Sequence, residues 1–244
     1  MNLLIDSGNS FIKWAMTDDS SLVKSHRCAS SSVTELSAAW EDYETPQRVI
    51  IANVAGQQTG RAIETIVAKL WGRKAEFVTS AASCCGLTNG YRDPAQLGVD
   101  RWLSIIAAYH LANAAAIVVD CGTAVTIDLV KDDGLFAGGV ILPGLNTALN
   151  SLQSATAVEF DANSFSDGIS VTAQSTDMAV KSGVLLGLAG AIESMITQQS
   201  SLLGKTPALY ITGGEAGRLI PYLQLTLDHQ PDLVLQGLQI FSAT

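Results

Sequence analysis

Two stretches of the chain carry one pattern of apolar and polar positions. The apolar run Leu3-Leu4-Ile5 ends in Asp6-Ser7-Gly8, the polar pair Asn9-Ser10 follows, and alternation resumes through Phe11-Ile12-Lys13-Trp14-Ala15-Met16. Ile117-Val118-Val119 runs in the same way into Asp120-Cys121-Gly122, then Thr123-Ala124, then Val125-Thr126-Ile127-Asp128-Leu129-Val130. With Asp6 laid over Asp120 the copies stay in step to their ends, where Asp18-Asp19 falls on Asp132-Asp133. A β-prone run, an Asp/Gly turn and a period-two strand predict a β-hairpin in each copy. Gly8 and Gly122 are expected to turn with positive φ and to let backbone approach a ligand closely.

Each half also holds a later apolar strand that ends in small residues: Arg48-Val49-Ile50-Ile51-Ala52-Asn53, and Ala208-Leu209-Tyr210-Ile211-Thr212 ahead of Gly213-Gly214. Helical spacing covers 59–70, 100–113, 176–198 and 214–223, so strands and helices alternate and the class is α/β. The repeat is far longer than a solenoid period and occurs twice. That predicts duplicated domains, 1–114 and 115–244, facing each other across a cleft where a ligand binds.

Composition sharpens this mainly by exclusion. The chain has 244 residues, 48% of them hydrophobic and 15% charged, enough for a sizeable core. Fourteen basic against 23 acidic side chains give a formal charge of −9, with a pI near 4.7. Nucleic acids and anionic lipids are bound through phosphate neutralisation, so neither is expected as a partner. The strongly apolar runs 114–119 and 183–192 fall short of the roughly 20 residues of a bilayer span, which predicts no membrane segment. An N-terminus without a basic region predicts a cytoplasmic protein. Cys28, Cys84, Cys85 and Cys121 show no C-x-x-C spacing, and the adjacent pair cannot bridge without strain, so all four are expected as thiols. Neither a P-loop nor G-x-G-x-x-G is present, and the histidines lack metal spacing.

Three groups of residues carry candidate chemistry. Asp6-Ser7-Gly8-Asn9-Ser10-x-x-Lys13 and Asp120-Cys121-Gly122-Thr123-Ala124 have the parts of paired phosphate clamps: turn N–H groups and hydroxyls for oxygens, Lys13 for charge, aspartates for a metal ion. Asp100-Arg101 at a helix start can deprotonate a hydroxyl and hold an anionic substrate, or Asp100 can simply cap the helix. The glycines of Thr212-Gly213-Gly214 and of 138–144 can bring backbone against a ligand or serve tight turns.

Taken with Tyr91-x-x-Pro94-x-x-Leu97-Gly98-x-Asp100-Arg101, Gly138-Gly139-x-Ile141-x-Pro143-Gly144, Thr176-x-x-Ala179 and Asp232-Leu233-Val234-Leu235-x-Gly237-Leu238, these motifs resemble the type III pantothenate kinases. They occur in order from residue 6 to 238. The resemblance implies two ribonuclease-H-like domains of the actin-like ATPase kind with a nucleotide cleft, and phosphorylation of pantothenate by ATP to 4′-phosphopantothenate, the first step of coenzyme A synthesis. It implies that Asp6, Ser7, Gly8, Asn9, Ser10, Phe11, Ile12, Lys13 and Thr123 bind ATP, with Asp6 also near Mg²⁺ through water. It implies Asp120 on a monovalent cation, potassium or ammonium. Tyr91, Gly98, Val99, Asp100, Arg101 and Thr176 would contact pantothenate, with Asp100 the proton acceptor. The family is dimeric, which implies a homodimer with Thr176 reaching the partner's substrate. Ala157-Val158-Glu159-Phe160-Asp161 lacks the proline common in the family after Gly144. An accessory transcriptional regulator, or a kinase or phosphatase of the same superfamily acting on another small acid, is the alternative.

Overall fold

A computed structural model describes residues 1–18, 22–161, 165 and 168–244; Asp19 of the Asp18-Asp19 pair lies outside the described residues. The strands are β1 (Asn2–Ser7), β2 (Phe11–Thr17), β3 (His26–Ala29), β4 (Val49–Asn53), β5 (Ala75–Phe77), β6 (Ser83–Cys84), β7 (Leu87–Asn89), β8 (Ala116–Cys121), β9 (Ala124–Val130), β10 (Leu135–Pro143), β11 (Ala208–Thr212) and β12 (Asp228–His229). The helices are α1 (Leu36–Ala39), α2 (Gln57–Trp71), α3 (Val99–Ala112), α4 (Leu145–Ala155), α5 (Thr176–Leu203), α6 (Ala216–Leu219) and α7 (Leu233–Ser242). Two compact units result: Met1–Ala116 with Val130–Gly138 and Asp232–Thr244, and Ile117–Leu129 with Gly139–Pro231.

The first unit is built on a sheet of order β3-β2-β1-β4-β5. β1 runs antiparallel to β2 and parallel to β4, so the predicted hairpin leads into a crossover through α1 to a parallel strand. Leu3, Ile5, Ile12, Trp14, Trp40, Ile51 and Ile63 form its core, with Trp14 edge-on to Trp40 at 5.9 Å. α2 ends at Gly72 and α3 at Asn113, both in the left-handed conformation that closes helices. α3 also carries α7 along its length: a Cβ added at Gly237 would overlap the Leu103 carbonyl, so glycine permits the close approach.

In the second unit the strands run β12-β11-β8-β9-β10. Ile117, Val119, Val125, Ile127, Leu145, Leu149, Leu185, Ile192 and Ile211 make the core. Ser175 caps α5 by accepting the Met178 N–H at 3.2 Å.

Two expectations need correction, and one long apolar helix bears on a third. The helix expected over 214–223 is α6 plus one 3₁₀ turn, Ile220–Tyr222, because Pro221 lacks the N–H a continuing α-helix requires. Neither Gly8 nor Gly122 has positive φ; the Gly8 N–H bonds to Phe11 O and the Gly122 N–H to Ala124 O, each at 3.0 Å. Finally, α5 is 28 residues long with a mean hydropathy of 1.4 over its most apolar window, so by length and composition it could cross a membrane. Its polar residues are scattered, so no unbroken apolar run marks its length in the sequence. Leu185, Leu188, Ala189, Ile192 and Ile196 on α5 are buried within the second unit, as in the core helix of a folded domain.

Candidate active site

In the first unit, strand register gathers charge at the hairpin. Asp6 lies opposite Lys13 across β1 and β2, and Lys13 lies opposite Arg27 across β2 and β3. Directly opposed residues share a sheet face, so one carboxylate and two cations form a row. The neighbouring Ile12 points to the other face and is fully buried. Exposed Phe11 carries the Arg27 guanidinium 5.1 Å from its ring centre. Ser30 ties the carbonyl side of the turn: its N–H donates to Ser10 O at 3.0 Å and its hydroxyl to Gly8 O at 2.7 Å. Asn9 and Ser10 are exposed, whereas Ser7 is buried with its Oγ unpartnered.

The same unit assembles Tyr91, Gly98, Asp100 and Arg101. Gly98 occupies the N-cap of α3 without a side-chain cap, and Asp100 is the second helical residue. Asp100 Oδ1 accepts the Arg101 N–H at 2.8 Å. A Cβ at Gly98 would stand 2.6 Å from that oxygen, so a larger residue there would push the Asp100 carboxylate aside. Burial raises the Asp100 carboxyl above its ordinary range, against the opposing N–H and charge of Arg101. Arg101 is only 7% exposed; its Nη1 donates to the Tyr91 hydroxyl at 2.8 Å, with Cζ 5.7 Å from the Tyr91 ring centre. Tyr91 stacks on Phe136 at 5.6 Å, and Phe136 packs against Trp102 at 6.4 Å. A guanidinium so clamped is a fixed positive charge beside a carboxylate of raised proton affinity. Val99, beside them, is buried.

The second unit holds Asp120, Thr123 and Thr176. Asp120 is half-buried at the end of β8, and the adjacent Cys121 is fully buried. Burial first, then the negative charges of Asp120 and Glu215, push the Cys121 thiol up, so it stays protonated. Thr123 O accepts the Gly144 N–H at 3.1 Å and the Thr147 hydroxyl at 2.6 Å. Glu215 donates its N–H to Cys121 O at 2.9 Å, while its carboxylate accepts from Asn146 at 3.1 Å and Arg218 at 2.7 Å. Gly213, at φ +94°, brings backbone so near that a Cβ would overlap Cys121 O and the Asp120 carboxylate. A Cβ at Gly144 would likewise overlap the carbonyls of Gly122 and Thr123. These glycines thus serve backbone packed on backbone around the second turn. Thr176 opens α5 and is exposed.

Among the described residues no three His, Cys, Asp or Glu side chains group as a metal cage. The donor set still fits the expected ions. Magnesium is commonly held by one or two carboxylates with waters and substrate phosphates, which Asp6 can join, and the half-buried oxygens of Asp120 suit a hard monovalent cation. The protonated Cys121 thiol offers no competing soft ligand. Arg27, Ser30, Phe136, Asn146 and Arg218 were not legible as site residues; only strand pairing and packing bring them in.

A family model for type III pantothenate kinase matches residues 2–198. A type III pantothenate kinase from Nitrosospira multiformis is 35% identical over 237 residues, covering 97% of this chain and 88% of that protein. Among solved structures, a Campylobacter jejuni protein assigned to the Baf family of transcriptional activators aligns with a TM-score of 0.61 at 23% identity, covering 98% of this chain and 97% of the other. A glucokinase from an Antarctic psychrotroph aligns with a TM-score of 0.52 at 12% identity over 100% of this chain and 99% of its own. The fold is therefore the α/β one of duplicated ribonuclease-H-like domains shared with sugar kinases.

Proposed function

The chain belongs to the type III pantothenate kinase family, and on that premise we propose that it transfers the γ-phosphoryl group of ATP to pantothenate, giving 4′-phosphopantothenate and ADP. The observation that carries this reading is the α3 start, where the Asp100 carboxylate is half-buried beside an Arg101 clamped by Tyr91. Asp100 accepts the proton of the primary hydroxyl as that oxygen attacks phosphorus, and its raised proton affinity suits that task. Arg101 holds an anionic group of the substrate, with Tyr91, Gly98 and Val99 lining the same place and Thr176 contributing from the partner copy. Phosphoryl transfer asks the protein chiefly for positioning and charge neutralisation. Lys13 and the turn from Asp6 to Ile12 bind the phosphates, with Thr123 from the second turn. Bound Mg²⁺ and potassium or ammonium would add positive charge against the phosphate oxygens, with Asp6 oriented to the first through water and Asp120 to the second.

The reading extends to a cytoplasmic homodimer without nucleic-acid or membrane partners. Support for the dimer comes from α5. Thr176, Ala179, Gly183, Gly187 and Gly190 are exposed at helical spacing, and a Cβ at any of the three glycines would meet nothing within 4 Å.

The test is ADP release with pantothenate, with and without potassium, for wild type and Asp100→Asn. Wild type turns over only with the cation, and the variant loses at least ~100-fold in kcat with KM little changed. On the acid side kcat/KM falls as Asp100 gains its proton, and this limb lies above the ordinary carboxylate range near 4. An equally active variant removes Asp100 from the mechanism. Absence of wild-type turnover favours the regulatory reading, which the charge of −9 disfavours for a DNA ligand. Turnover of a different alcohol favours a related kinase.

A further inference from the structure

We propose that Cys84 and Cys85 form a reversible oxidation site that closes to a disulfide between adjacent residues in the presence of hydrogen peroxide. Ser83 pairs with Thr88 and Cys84 with Leu87, which leaves Cys85 and Gly86 as a two-residue hairpin loop. Both loop residues have positive φ, 51° and 80°, as in the turn type that normally takes Asn-Gly. Cysteine is an unusual occupant of that first position, and the surroundings fix it there. His110 Nε2 lies 2.8 Å from Cys85 O; a carbonyl can only accept, so Nε2 donates. Behind the loop, Gly134 packs on Gly86, where a Cβ would come 2.7 Å from Gly86 O, and Gly134 O accepts the Thr88 N–H at 3.0 Å.

This frame holds the two sulfurs 3.1 Å apart, so closing the bond takes about 1 Å of movement. Both cysteines are half-buried thiols, open to a small peroxide. Burial and the neighbouring sulfur push the Cys85 thiol up to about 12. One of the two sulfurs, as its thiolate, displaces hydroxide from hydrogen peroxide and becomes a sulfenic acid. The other sulfur then attacks it, and water leaves with that second thiol's proton. Two thiols and one peroxide become one disulfide and two waters. Adjacent Cα atoms are about 3.8 Å apart, below the 4.4–6.8 Å of ordinary bridges, so the closed form is strained. Strained disulfides are the easily reduced ones, which makes the step reversible.

The full-length reduced protein is treated with hydrogen peroxide, denatured, alkylated and cleaved with trypsin. The fragment 75–92 contains both residues and no other cysteine. The expected fragment carries no alkyl group and is two hydrogens lighter than the reduced one; dithiothreitol before alkylation restores two alkyl groups. Cys84→Ser abolishes the closed species while circular dichroism shows an unchanged fold. Two alkyl groups retained after peroxide, progression to sulfinic acid at both sulfurs, or bridges between two chains would each overturn the proposal.

Discussion

The two hairpins share one sequence design and diverge at two charged positions, Lys13 over Ile127 and Trp14 over the buried Asp128. Where the first carries Lys13, opposite Asp6, the second carries Ile127, fully buried in the core of its own unit. The first turn is thus flanked by two cations, Lys13 and Arg27, whereas the second has the carboxylates of Asp120 and Glu215, the latter paired with Arg218, beside a Cys121 thiol raised first by burial and then by those two charges. On the proposed reading, one scaffold serves an anion in the first copy and, beside Thr123, a cation in the second. Local tightness differs too: Gly8 bonds to Phe11, three residues on, and Gly122 to Ala124, two residues on.

The largest effect is expected from erasing that divergence. Ile127→Lys puts a charge without a partner into an apolar core and should cost at least about 3 kcal/mol, read as a lower urea midpoint. A variant of native stability would show that the second hairpin accepts the first one's charge. Next, on the proposed reading Lys13→Met removes a charge-assisted phosphate contact, and kcat/KM for ATP should fall roughly 10- to 100-fold. Equal activity would break the assignment of the anion to the first turn. Gly213→Ala acts on the second turn alone. Its Cβ would overlap Cys121 O and the Asp120 carboxylate at a positive φ, and a loss of about 2 kcal/mol is expected in the same denaturation assay.

What the sequence discloses follows from how local each feature is. The hairpins and the α3 start are legible because a period-two run, an Asp/Gly turn and an Asp beside a helical pattern are contained in a few residues. Arg27 is invisible because its place depends on the register of β3 against β2, which short, half-exposed β3 does not advertise. Residues 233–242 were read as a motif and not as a helix, since their neighbours, on α3, are more than a hundred residues earlier. Glycine spacing showed that something approaches Gly213 and Gly144, but not that it is the protein's own backbone. α4 carries its own amphipathic face, with Leu145 and Leu149 buried, and was missed for want of an N-terminal capping side chain to mark its start.

The smallest expected effect separates the ways the two turns are fastened. Ser30 holds the first through two bonds, its N–H to Ser10 O and its hydroxyl to Gly8 O. Ser30→Ala keeps the first and loses the second, so stability should fall by about 1 kcal/mol. Thr147→Val also deletes one hydroxyl bond, to Thr123 O, but that carbonyl retains the Gly144 N–H, so its cost should be smaller. The functional readouts should part as well. Loosening the Gly8 turn should raise KM for ATP a few-fold without changing the potassium dependence, while the Thr147 variant, which loosens a turn assigned both Thr123 on the phosphates and Asp120 on the cation, should weaken activation by potassium as well as raise KM for ATP. A Thr147 variant with unchanged activation by potassium would break the assignment of the cation to the second turn, even with each hydroxyl bonded as described.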